Sequence, residues 1–175
     1  MTCEPIDPGH WRLSFTEPEA AFIIHILARL GRHYHEDLAE MPPALRAYWE
    51  GRITHGEAAP ADKEALKESQ EVLAEARAEL RSERLALVES WVREYELAEK
   101  RDPWQVEVTG AERDEFVAML NDRRLLLALE IGVTQEDMEM DPGEITNETR
   151  RTTILEIDVL GHFILVTLGP QIHRP

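Results

Sequence analysis

From Ala61 to Lys100 the chain contains neither proline nor glycine. Nothing there interrupts a backbone hydrogen-bond ladder, so one continuous helix about 60 Å long is expected. Its apolar content is uneven along that length. Leu66, Leu73, Leu80 and Leu87 recur seven apart, the spacing of a narrow interaction seam. Their companion positions Ser69, Ala76, Glu83 and Ser90 are poor core residues. Glu71, Glu75, Glu79 and Glu83 form an i,i+4 row of like charges, each pair costing an isolated helix roughly 0.2–0.5 kcal/mol. Only from Leu85 does the apolar face widen, through Leu87, Val88, Trp91, Val92 and Tyr95. The first half of the helix therefore reads as a thinly packed, partly protruding arm. It either folds back on another helix or packs against a second copy of the chain.

The rest of the chain is predicted to be mainly α, a helical bundle with a minor two-stranded β element. Residues 1–10 read as an N-terminal tail. "WRLSF" (Trp11 to Phe15) alternates like a short strand. Thr16 and Glu19 then form a capping box, Pro18 sits in the first turn, and Phe22, Ile23, Ile26, Leu27 and Leu30 recur at helical spacing to about His35. Gly31 inside that helix costs roughly 1 kcal/mol against alanine, which points to a close helix approach. "MPPALRAYWEGRI" gives a short helix presenting Leu45, Tyr48 and Trp49, and residues 52–61 read as a loop rich in small residues. "WQVEVTG" repeats the earlier pattern: W-x-φ-x-φ-T-x-x-E occurs at Trp11–Glu19 and again at Trp104–Glu112, φ being apolar. Two strands that pair as a ribbon and launch two helices onto one core explain it. The second helix runs from Ala111 to Ile131, with Gly132 as its left-handed cap. Thr134 begins a short capped turn. A last helix, from about Asn147 to Leu168, is apolar on nearly all faces and is expected to be central. All 175 residues fit one domain with a sizeable core.

Charge narrows the function. With 35 acidic against 19 basic residues the net charge is −16, which repels phosphate backbones and anionic lipid. The densest basic cluster, Arg150-Arg151, is too small to reverse that, so neither nucleic acid nor a membrane surface is an expected partner. The most apolar stretch, Ile154 to Leu168, contains Glu156 and Asp158 and falls short of a membrane span. The opening "MTCEPIDPGHW" has no basic or apolar leader character, and Cys3 is the lone cysteine. A cytoplasmic location is the default expectation, with no disulfide and no cysteine zinc site.

The polar residues Asn121, Asp122, Arg123 and Arg124 interrupt an apolar helix that continues to Ile131. Helical spacing puts at least Asn121, Asp122 and Arg124 partly inside, where charges persist only if paired and hydrogen-bonded. An active site would use such a cluster; so would a polar network that fixes helix register, with Asp122 accepting from an arginine and Arg124 donating to a glutamate or to helix-end carbonyls. The structural reading is preferred. The stretch "LNDRRLLLALEIGVT" resembles the signature of the DUF2017 family, bacterial proteins of unknown function: L-N-D-x-R-L-x-L, then G-V-T and acidic residues. Leu120, Asn121, Asp122, Arg124, Leu125, Leu127, Gly132, Val133, Thr134, Glu136 and Asp137 meet it without a gap. "LSFTEPEAAFI" resembles the family's opening strand and helix more loosely, and the 61–100 segment departs from it. The family transfers no catalytic residues. Its members are often encoded beside an adaptor of the Clp protease, which implies regulation or proteolysis as the setting.

Other clusters are weaker. His33 and His35 stand two apart on a helix and so point about 200° apart, unable to share one metal. Asp137, Glu139, Asp141 and Glu148 fall on EF-hand ligand positions, but Pro142 stands where the sharp turn needs glycine. Asp158 and His162 lie one turn apart, best read as a core histidine paired to its carboxylate. There is no glycine-rich phosphate loop and no set nucleophile, and no cofactor is expected. These observations favour a non-enzymatic protein-interaction or regulatory factor, with a protein partner or a homodimer through the leucine seam. The alternative is a metal-dependent or acid/base enzyme built on the histidine and carboxylate clusters.

Overall fold

A computed structural model describes residues 1–50, 63–98, 102–141 and 143–169. The chain is mainly helical with one small antiparallel sheet. In chain order its elements are β1 (Thr2–Asp7), β2 (His10–Phe15), α1 (Glu17–His35), a 3-10 turn (Leu38–Glu40), α2 (Pro43–Trp49), α3 (Lys63–Leu97), β3 (Trp104–Thr109), α4 (Gly110–Ile131), α5 (Gln135–Glu139) and α6 (Glu148–Leu168). The expected loop over residues 52–61 lies outside the described residues. Two compact units divide the chain: Met1–Leu27 with Trp91–Pro175, and Ala28–Ser90. The long helices α1 and α3 each contribute to both.

The first unit is built on the sheet. The two expected strands do pair, from His10↔Thr109 to Phe15↔Trp104, and each runs into a helix. The expected two-stranded element is nevertheless three-stranded, in the order β1-β2-β3. Residues 2–7, read as tail, form its edge strand, pairing from Thr2↔Ser14 to Asp7↔His10. Proline at position 5 argues against a central strand but is tolerated at an edge, and Cys3 is the one buried side chain of β1. The turn into β2 uses Pro8-Gly9, with Gly9 at φ 84°, a backbone conformation that suits glycine. On β2 and β3 alternation holds: Leu13, Phe15, Trp104, Val106 and Val108 are buried. On the wet face Arg12 and Glu107, opposite each other, make a 2.7 Å ion pair.

Aromatic rings fill the space behind this sheet. Phe15 stacks on Trp104 at 5.3 Å, Trp91 tilts against Phe116 at 5.1 Å, and Tyr95 meets Trp104 edge-on. Each geometry is of the offset or edge kind that aromatic quadrupoles favour. Ala20, Ile23, Ile26 and Leu27 of α1 and Ile154, Ile157, Leu160 and Phe163 of α6 are buried in the same unit.

In the second unit Gly31 does mark a close approach: a Cβ there would meet Val88 Cγ1 at 3.1 Å. Leu30, Tyr34, Met41, Leu45, Trp49 and Val88 are buried, and Tyr34 meets Trp49 edge-on at 6.0 Å. Two arginines of α3 close the ends of other helices. Arg81 donates to the carbonyls of His33 (3.2 Å) and Glu36 after α1, and Arg77 donates to Tyr48 O of α2 while lying over the Tyr48 ring. Carbonyls at a helix end have no internal partner, so these arginines hold helix ends to α3 where apolar side chains are scarce. From Glu68 to Arg81 no residue of α3 is buried; Arg84 is the first.

Candidate functional site

The polar residues of α4 become intelligible once its end is built. Thr109 and Glu112 form the expected capping box at its start. Gly132 ends it at φ 59°, and its N–H returns to Ala128 O. Thr134 opens α5 with a second box: Asp137 N donates to the Thr134 hydroxyl, and Asp137 accepts from Thr134 N at 2.7 Å. The Gly-Val-Thr-x-acid-acid part of the motif is thus the chemistry of a tight turn between two helices. Arg150, in the first turn of α6, staples that turn. Its Nη1 donates to Ile131 O and its Nη2 to Gly132 O, both at 3.1 Å, while Nε donates to Asp137 Oδ1 at 2.8 Å. The Arg150 guanidinium and the hydrogen bonds from Thr134 hold the Asp137 carboxyl far below the usual carboxylate range, and Asp137 in turn raises Arg150.

The polar island itself splits. Asp122 and Arg123 are buried. Arg123 Nε donates to Glu156 Oε1 of α6 at 2.9 Å, and Glu130 stands 4.0 Å away. This is a register-fixing pair between α4 and α6, but its arginine is Arg123 and not Arg124. Helix-end carbonyls are likewise served by Arg150 and not by Arg124. The reason is angular: on α4, position 123 faces the interior shared with Phe116, Met119 and Leu127, whereas 121 and 124 lie round toward the outside. Asn121 is exposed and Arg124 half-buried. Among the described residues neither makes a hydrogen bond or ion pair, and Arg124 Nε is buried without a partner.

Both line an open groove of about 290 Å³, with Leu125, Ala128, Val133, Thr134, Met138 and Ile157. The floor is set by α4 and α6, and α5 forms the wall at one end. The Arg124 guanidinium lies beside Gly161 of α6, where a Cβ would stand 3.7 Å from Cζ. Arg124 is the sole charged group of the lining among the described residues. Chemically the groove offers a guanidinium, an amide, the Thr134 hydroxyl already donating to Asp137, and apolar walls, which suits binding a carboxylate.

The remaining expected residues fall elsewhere. On α3, Leu73, Leu80 and Leu87 are half-buried, and the Leu66 side chain lies outside the described residues. His35 is exposed, and half-buried His33 stands 3.4 Å from Glu36. Asp137 is committed to Thr134 and Arg150, Asp141 accepts from Gly143 N at 2.8 Å, and Glu139 is exposed. Among the described residues no group of three histidines, cysteines or carboxylates could hold a metal ion. The expected core pair is corrected: Asp158 and His162 are both exposed. The expectation that α6, apolar on nearly all faces, is central is corrected too, since Leu155, Val159 and Leu165 are exposed. Among the described residues no helix is long and apolar enough to cross a membrane.

Sequence reasoning missed Arg123, Arg150 and Glu156 as a set. A signal existed, because an arginine and a glutamate each stranded in an apolar helical run need a partner, and each is the other's candidate. No family model, curated protein or solved structure matches this chain, so the likeness of residues 120–137 to the DUF2017 signature rests on those residues.

Proposed function

We propose that this protein is a non-enzymatic interaction or regulatory factor that binds another protein through the outer side of α4 and α6. One observation carries the reading. Large apolar side chains stand exposed there at helical spacing: Leu125 (49%) and Leu129 (51%) on α4, Leu155 (44%) and Val159 (40%) on α6, and Leu165 (62%). Scattered exposed leucines are ordinary, but rows one turn apart on neighbouring helices are the mark of a contact surface. The net charge of −16 supports a protein partner over nucleic acid or an anionic bilayer, and a cytoplasmic setting. The likeness to the DUF2017 segment makes regulated proteolysis the first process in which to look. Affinity purification from the source cell with wild type and with a Leu125→Glu, Leu129→Glu variant tests it. The expected result is one stoichiometric partner with the wild type and none with the variant. Recovery of the wild type alone, or of the same partner with both, refutes it.

A further inference from the structure

We infer that the groove beside Arg124 seats an acidic side chain, aspartate or glutamate, carried by an apolar-flanked segment of the partner. This deepens the interaction role proposed above and rests on it. Three observations lead there. Arg124 is half-buried, with its Nε covered by the protein and its Nη groups left as the donors that a ligand in the groove can reach. Among the described residues the groove's lining holds no carboxylate beside this one formal charge. Its walls are otherwise mainly apolar, with Asn121, one turn before Arg124, and Thr134 as the other polar residues.

Charge complementarity therefore calls for a carboxylate, and the walls decide what carries it. A small free carboxylate would leave Leu125 and Met138 exposed as they are now. Apolar surface also lies on both sides of the guanidinium. Ala128, Val133 and Met138 extend toward α5, and in the other direction Leu165 follows Gly161 by one turn of α6. A segment filling both sides passes across Arg124, so the carboxylate belongs to a side chain within it and not to a chain end. The two Nη groups then pair end-on with the two carboxylate oxygens, a two-pronged geometry for which arginine is suited and lysine is not.

The Arg124 Nε–Hε resonance, on the same guanidinium, reports pairing at the Nη groups. The probes are the peptide acetyl-Leu-Glu-Leu-amide, its glutamine counterpart and sodium acetate, each titrated into the intact protein. The glutamate peptide is expected to shift that resonance with saturation, and to bind about tenfold or more tightly than the glutamine peptide. Arg124→Met should abolish the difference between the peptides. Arg124→Lys, which keeps the charge and loses the fork, should reduce it; circular dichroism of both variants confirms that they are folded. Equal binding of the two peptides overturns the inference, as does acetate binding as tightly as the glutamate peptide. A shift that follows protein concentration without peptide, with a doubled mass in light scattering, overturns it in favour of a second copy as occupant. If no peptide binds while the wild type still captures its partner through Leu125 and Leu129, the acidic recognition fails and the interaction role stands. If the glutamate peptide binds as expected but no partner is captured, the interaction role fails by itself.

Discussion

Arg123 and Glu156 provide a quantitative test of how α4 and α6 are held. The Arg123 side chain is 4% exposed and that of Glu156 is 18% exposed, with Nε to Oε1 at 2.9 Å. Replacing Glu156 by leucine leaves a nearly dry guanidinium whose remaining carboxylate, Glu130, is 4.0 Å away and half-exposed. Removing one partner of such a buried pair costs about 3 kcal/mol. Replacing Arg123 by leucine leaves the carboxylate that still reaches water, and about 2 kcal/mol is expected. The double leucine variant strands no charge and adds apolar contact, so it should cost no more than about 2 kcal/mol. The coupling between the sites is then about 3 kcal/mol. Urea unfolding followed by tryptophan fluorescence measures all three, because Trp91 and Trp104 are buried in the same unit. If the two single costs add within about 0.5 kcal/mol in the double variant, the pair does not join the helices and the argument fails.

Asp137 has its carboxyl held low by Arg150 and Thr134, so it adds stability that is present above the unfolded carboxylate pKa of about 3.9 and fades as pH falls below it. Asp137→Asn should lower the melting temperature at neutral pH, and the gap from wild type should narrow steadily under acid; a constant gap would exclude this linkage. Gly161→Ala should raise stability by about 0.5–1 kcal/mol, since the new methyl makes only ordinary contact with Arg124. Gly31→Ala should gain nothing or lose stability in the same thermal assay, because its methyl would press on Val88 Cγ1 at 3.1 Å. For a dimer through the α3 seam, Leu73→Glu with Leu80→Glu should halve the mass seen by light scattering, and an unchanged monomer in both proteins would refute that dimer.

What the sequence revealed were interactions between near neighbours. Thr16 with Glu19, Thr109 with Glu112 and Gly132 as a left-handed cap each need only a few consecutive residues, and each is in place. The alternation of β2 and β3 likewise follows from which side chains can face a core. Hidden were the contacts that depend on how two distant segments lie in register. Arg123 meets Glu156 across 33 positions, and Arg81 reaches Glu36 O across 45. The island's inward and outward halves differ by one residue, a rotation of about 100° that only the packed helix fixes. Edge strand β1 was obscured for another reason: a strand with Pro5 and only one inward apolar side chain leaves almost no period to read.

Charge balance bears on Arg124 in two opposing ways. In a chain with 35 acids and 19 bases, carboxylates outnumber the cations that seek them. Arg12, Arg46, Lys67, Arg113, Arg123 and Arg150 each stand within 4 Å of one. Among the described residues Arg124 does not, and neither do Arg29, Arg32, Arg93 and Arg151, although exposed Asp158 lies one turn from Gly161 on the helix that Arg124 touches. The same excess sets a field that opposes any acidic ligand on its way in. Added salt screens that long-range repulsion but also weakens the final ion pair where it remains wet. Capture in this groove thus cannot rest on attraction between net charges. It must draw on the apolar walls around Leu125 and Met138, with the guanidinium selecting which apolar segment is accepted.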